Sequence, residues 1–128
     1  MVIDSSAVIA ILCDEPDAKH FTTAIEGDSI RLMSAASLLE TSIVIESRYG
    51  EEGGRKLDLL LLKAQVKIEP VTLEQAETAR IAFRIYGKGR HPAGLNFGDC
   101  FSYALAKVLE EPLLFKGNDF SKTDIKQA

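Results

Sequence analysis

Tryptophan is absent from the 128 residues, cysteine occurs only twice, and aromatic side chains make up 7% of the chain. Each shortage removes a class of protein. Cys13 and Cys100 are far apart and each sits inside an apolar helical pattern. They read as two buried thiols rather than a disulfide, which favours a reducing cytoplasm. His20 and His91 are separated and have no cysteine at ligand spacing, so a zinc site is not expected. The longest unbroken apolar run, Leu59 to Leu62, is too short to span a membrane. The opening Val2-Ile3-Asp4 lacks the basic start, apolar run and small-residue cleavage site of a signal peptide. An excess of basic charge is also missing. With 15 Lys and Arg against 19 Asp and Glu, the net charge is −4, which argues against a protein that coats nucleic acid through a basic surface. It does not argue against an enzyme that bridges phosphate to carboxylates through metal ions, which needs negative charge at its centre.

What is present is ordinary globular composition. The 46% apolar and 27% charged fractions suit one soluble domain over residues 1–128, long enough to bury a core without disulfides or metal. Val2-Ile3 is a short strand candidate ending in Asp4, and Ser5 and Ser6 can cap the helical pattern that follows through Leu12. A second helix is expected from Pro16-Asp17 to Gly27, then a strand over Ile30 to Met33. Ser34 opens a long helix carrying Glu40 in its early turns and running to Tyr49-Gly50. Gly53-Gly54 marks a break before another helix over Leu57 to Ala64. Val66 to Val71 reads as strand, and Thr72 with Gln75 fits a capping box for a helix through Tyr86. After the loop Gly87 to Leu95, Asn96 can cap a helix that places Asp99 in its first turn. Leu113 to Phe115 is a buried-strand candidate leading to the turn Gly117-Asn118-Asp119. Short apolar strands alternating with amphipathic helices predict a three-layer α/β/α sandwich with a central parallel sheet.

That architecture directs attention to the acids. Ligands of open parallel sheets bind beyond the carboxyl ends of the strands, and Asp4 and Asp119 both follow predicted strands. Glu40 and Asp99, near the starts of helices, can reach the same cleft. Carboxylates packed together repel and raise one another's pKa unless a cation neutralises them. Mg2+ takes oxygen ligands and keeps several waters, so one or two carboxylates suffice to hold it. The chemistry such a set supports is in-line attack of metal-activated water on a phosphodiester.

Four fragments carry a resemblance to a known family: Val-Ile-Asp-Ser-Ser-Ala at Val2 to Ala7, Ser-Leu-Leu-Glu at Ser37 to Glu40, Asn-Phe-Gly-Asp-Cys at Asn96 to Cys100, and Leu-Phe-Lys-Gly-Asn-Asp-Phe at Leu114 to Phe120. Each alone is weak, but four in this order and spacing are specific. The sequence resembles the PIN domain family, in particular the VapC-type toxin ribonucleases of toxin-antitoxin pairs, over nearly its whole length. The resemblance implies an endoribonuclease dependent on Mg2+ (or Mn2+), with Asp4, Glu40, Asp99 and Asp119 as the catalytic and metal-binding acids. It also implies an RNA substrate, a cognate antitoxin and a homodimer.

Each residue has a plainer reading. Asp4 can serve as a helix cap, Asp99 can favour its helix dipole, Asp119 can be a turn residue, and Glu40 a solvated helix former. Ser5 and Ser6 can do the capping instead, leaving Asp4 free. Ser6 can alternatively meet a water or phosphate. Arg84, Lys88, Arg90, His91 and Lys116 are candidates for a rim that meets RNA phosphates, against simple solvation. Gly87-Lys88-Gly89 lacks Walker spacing. The leucines from Leu57 to Leu62 read as core, with any apolar remainder available to a dimer or an antitoxin. A haloacid-dehalogenase-like phosphatase is the rival enzyme, but it needs a second Asp where Ser6 stands. A response-regulator receiver would want adjacent acids at the first strand. A catalytically silent PIN-like binding module is the non-enzyme alternative; four intact acids count against it, because an unused carboxylate cluster destabilises its own fold.

Overall fold

Three short apolar segments, each too brief to bury itself, are forced into neighbouring positions because only a shared sheet satisfies their backbone groups. The computed structural model describes residues 1–128. In it β1 (Val2–Ile3) pairs in parallel with β2 (Leu32–Ser34) on one side and with β4 (Leu113–Leu114) on the other. β3 (Lys67–Glu69) continues the sheet beyond β2, giving the order β3-β2-β1-β4 with every pair parallel. Five helices cross between strands: α1 (Ser5–Leu12), α2 (Ala18–Glu26), α3 (Ala35–Lys63), α4 (Leu73–Tyr86) and α5 (Phe97–Leu109).

Alternation along the central strands splits the core into two. Ile3, Met33 and Leu114 point to one face and pack with Val8, Phe21, Leu57 and Leu61. Val2, Leu113 and Phe115 point to the other and pack with Leu95, Tyr103 and Leu105. Strands apolar on both faces are what a parallel sheet covered by helices requires. The expected three-layer α/β/α sandwich is therefore the one found. No helix is long and apolar enough to cross a membrane.

Three local expectations need correction. The helix over α3 does not break at Gly53-Gly54; it bends at Gly50, whose φ of 66° and ψ of −162° lie outside helical space. Only glycine adopts that conformation without strain. Gly53 then lies against the preceding turn, where an added Cβ would stand 2.8 Å from the Cβ of Tyr49 and 2.9 Å from Cγ2 of Ile45. The glycine pair is room for the bend rather than the bend itself. The capping assignment at α1 also changes: Asp4, not Ser5 or Ser6, is the N-cap, its side chain accepting from the Ser6 N–H. At α4, Thr72 accepts from the Gln75 N–H as expected, but the Gln75 amide donates to Pro70 O, so the box is half made.

Candidate active site

Asp4 follows β1 and is 4% exposed. A buried carboxylate persists only if its oxygens are paired, and both are. Oδ1 accepts from Ser102 Oγ at 2.5 Å. Oδ2 accepts from the Ser6 N–H at 3.0 Å and from Ser6 Oγ at 2.6 Å. Ser6 Oγ in turn accepts from the Lys116 N–H at 2.9 Å, so the chain leaving β4 is tied to the chain leaving β1. Ser6 thus holds Asp4 and its neighbour strand's exit.

Asp99 stands at the third position of α5 in a complete capping box. Its N–H donates to Asn96 Oδ1 at 2.8 Å, and its Oδ2 accepts from the Asn96 N–H at 3.0 Å. Burial, followed by the negative charges of Asp4, Asp119 and Glu40, pushes its carboxyl up to about 6 against the backbone hydrogen bond from Asn96. Asp4, Glu40 and Asp119 therefore all lie close enough to Asp99 to act on it electrostatically. Glu40 reaches this place because residue 98 is glycine: a Cβ there would collide with the Glu40 carboxylate. Asp119, exposed after β4, flanks a 3-10 turn over Phe120–Lys122 and makes no capping bond to it.

The acids do not form a closed cage; no group of three His, Cys, Asp or Glu side chains is arranged to hold an ion unaided. A hard divalent ion that retains waters needs only one or two carboxylates from the protein. The donors are all oxygen, and a carboxyl raised by burial and then by its anionic neighbours is one that a cation would bring back down. The residues fit such an ion.

The basic candidates are dispersed in role. Lys116 Nζ lies 3.1 Å from both Glu15 Oε2 and Asp17 Oδ1, so its charge is already matched. Arg90 lies over the Phe83 ring, 5.8 Å from its centroid. Arg84 and Lys88 are exposed. His91 Nδ1 accepts from the Ala93 N–H, which shapes the loop before α5. Sequence reading missed Ser102 and Ser37. Their signal was periodicity: each lies three residues from an acid, Ser37 before Glu40 and Ser102 after Asp99, and residues three apart share a helix face.

A family model described as PIN domain matches residues 1–126. Ribonuclease VapC30 of Mycobacterium tuberculosis is 63% identical over 125 residues, 98% of this chain and 95% of that protein. Among solved structures, Mycobacterium tuberculosis VapC20, a Sarcin-Ricin loop cleaving toxin, superposes with a TM-score of 0.80 at 18% identity, covering 99% of this chain and 97% of that one. A toxin-antitoxin complex from Klebsiella pneumoniae gives 0.71 at 16% identity, covering 96% and 92%. The two structural likenesses speak for the fold; the sequence matches go further. PIN-domain nucleases depend on divalent metal as a class, and the chain belongs to the PIN domain family, within it to the VapC ribonucleases.

Proposed function

We propose that the protein is an endoribonuclease of the VapC toxin class, reading residues 1–128 as one nuclease unit. Asp4, Glu40, Asp99 and Asp119 are its acidic set and Mg2+, or Mn2+ in its place, its cofactor. What chiefly supports this assignment is that α5 touches two of the other acids around Asp99: Gly98 lies against the Glu40 carboxylate, and Ser102 donates to Asp4. The reaction is hydrolysis: water adds to phosphorus, and one ester P–O bond breaks. A bound divalent ion supplies water activation and charge neutralisation at the phosphate. The chain's own residues supply position. Asp4 is fixed by the hydroxyls of Ser6 and Ser102; Asp99 is fixed by the cap of α5; Glu40 lies against the first turn of that helix through Gly98. Ser6, Arg84, Lys88 and Arg90 are proposed for the RNA side of the cleft; Lys116, expected from the sequence to join them, has its charge matched by Glu15 and Asp17 and is left out.

The proposed protein partners are a cognate antitoxin and a second copy of the chain, acting in the cytoplasm. Apolar side chains beside Glu40 favour protein contact here. Phe97 is 79% exposed, Leu39 and Ile43 are exposed as well, and clefts of roughly 400 Å3 lie to either side of Phe97. Exposed apolar clusters of this kind mark association sites.

The test is direct. Purified protein should cleave RNA with Mg2+ or Mn2+, stop on addition of EDTA, and lose more than about 100-fold in rate on Asp4→Asn or Asp99→Asn, beyond what outer residues around a metal site usually cost. Cleavage that persists in EDTA, or that survives both substitutions, would reject the assignment.

A further inference from the structure

Beneath the acids runs a line of buried hydroxyls. Ser102 Oγ, on α5, lies 2.5 Å from Asp4 Oδ1 and 3.1 Å from Ser37 Oγ, on α3. Ser102 and Ser37 are 0% and 1% exposed. A serine hydroxyl has one hydrogen. Asp4 is a carboxylate and only accepts, so the Ser102 hydrogen points to Asp4. The Ser37 hydrogen must then point to Ser102. The direction of the line is fixed: Ser37 to Ser102 to Asp4. The Ser37 carbonyl is itself held, accepting from Ser5 Oγ at 3.2 Å and Thr41 Oγ1 at 2.7 Å.

This line joins the three elements that carry Asp4, Glu40 and Asp99. Ser37 shares a face of α3 with Glu40, and Ser102 shares a face of α5 with Asp99. A hydroxyl that is itself receiving a hydrogen bond is a stronger donor, so Ser37 strengthens the grip of Ser102 on Asp4. The opposite oxygen of Asp4 is gripped by Ser6, which receives the Lys116 N–H in the same way. With a donor on each oxygen, the carboxylate plane of Asp4 cannot rotate freely.

We propose that Ser102 is a positioning residue, oriented by Ser37, that sets the carboxylate of Asp4 for a divalent cation. The inference rests on the metal-binding role assigned to Asp4 above. Ser102 touches neither the ion nor the substrate; it acts through Asp4, as partners behind a metal ligand do.

The experiment is Mn2+ binding to the whole protein in the absence of RNA, followed by electron paramagnetic resonance of the free ion, with thermal melting in EDTA alongside. Ser102→Ala should raise the Mn2+ Kd about 10- to 100-fold. Ser37→Ala, which leaves the contact with Asp4 but removes its orienting donor, should raise it less. Catalysis by Ser102→Ala should recover in part at high Mn2+. A purely structural serine would lower the melting temperature while leaving Kd unchanged, and that result in either variant that folds overturns the inference. Asp4→Asn separates the two layers of argument. If it abolishes Mn2+ binding while both serine variants bind as wild type, the role of Ser102 is wrong and that of Asp4 stands. If Asp4→Asn binds Mn2+ like wild type, the reading beneath the inference fails with it.

Discussion

Asp4 and Asp119 follow strands that pair in register, Val2 opposite Leu113 and Ile3 opposite Leu114, yet they are held in opposite ways. Asp4 comes one residue after its strand, buried, with three hydrogen bonds from Ser6 and Ser102. Asp119 comes five residues after its strand, exposed, with no capping bond. The difference is one of chain length between sheet and acid. A single residue inherits the rigidity of the ladder, whereas a turn through Gly117 at φ 99° leaves its acid free to adjust. One side of the proposed site is thus held by hydrogen bonds from buried and strand-exit residues, and the other by the turn alone.

Stability measurements should break this symmetry most visibly. Asp4→Ala removes the cap of α1, worth about 1 kcal/mol, and leaves the Ser102 and Ser6 hydroxyls without their acceptor, about 1–3 kcal/mol more. Against this stands relief of repulsion with Asp99, which is secondary to burial in raising that group. The loss therefore wins, and the metal-free variant should be less stable by about 2–3 kcal/mol in urea unfolding. Asp119→Ala should stay within about 0.5 kcal/mol of wild type. Equal effects from the two would mean that Asp4 is not held as its contacts indicate.

Asp99 sharpens the comparison through pH. Its folded carboxyl sits at about 6, above the ordinary 3.8, so between those values the folded state binds the proton that the unfolded chain releases. Its cost to folding is present in full above about pH 6 and is relieved as pH falls towards 4. In EDTA, wild type should gain stability relative to Asp99→Asn on going from pH 7 to pH 4.5. Because Asp99 is only partly buried, the gain should be about 1–2 kcal/mol after allowance for solvent screening. Asn keeps an oxygen for the Asn96 N–H, so the cap survives the substitution. A pH-independent difference between the two proteins would show that burial and the neighbouring acids do not raise the carboxyl of Asp99.

Much of this was legible in the sequence wherever local chemistry and tertiary packing agree. The strands of β1 and β4 and the cap at Asn96 announced themselves, because each is dictated by a few adjacent residues, and the four acids proposed for the site could be named from the same short fragments. What was not legible depended on contacts between distant segments. Gly50 and Gly53 look alike as letters; only the bend of α3 against its own preceding turn makes one the hinge and the other the clearance. Asp4 and Ser5 are both good caps, and the backbone of the strand exit decided for Asp4. Ser102 meets Asp4 across 98 residues of sequence; its spacing from Asp99 places it on the acid's face of α5 but does not say which distant side chain it meets there. The charge on Lys116 was visible, but not its neutralisation by Glu15 and Asp17 from the α1–α2 turn.

Lys116 gives the smallest expected effect and the finest distinction. Its backbone and side chain do different jobs: the N–H donates to Ser6 Oγ beside Asp4, while Nζ is matched by two carboxylates. An ammonium already matched gains little from a phosphate, because the new contact must displace the old ones. Lys116→Ala keeps the backbone N–H and should leave Mn2+ affinity unchanged. The slope of log binding constant against log salt for single-stranded RNA should fall by less than about 0.7, the value of one full phosphate contact. Removing Glu15 and Asp17 instead should free the ammonium and steepen that slope. A full loss of 0.7 or more on Lys116→Ala in the otherwise native chain would place Lys116 on the phosphate and make Glu15 and Asp17 its resting partners only.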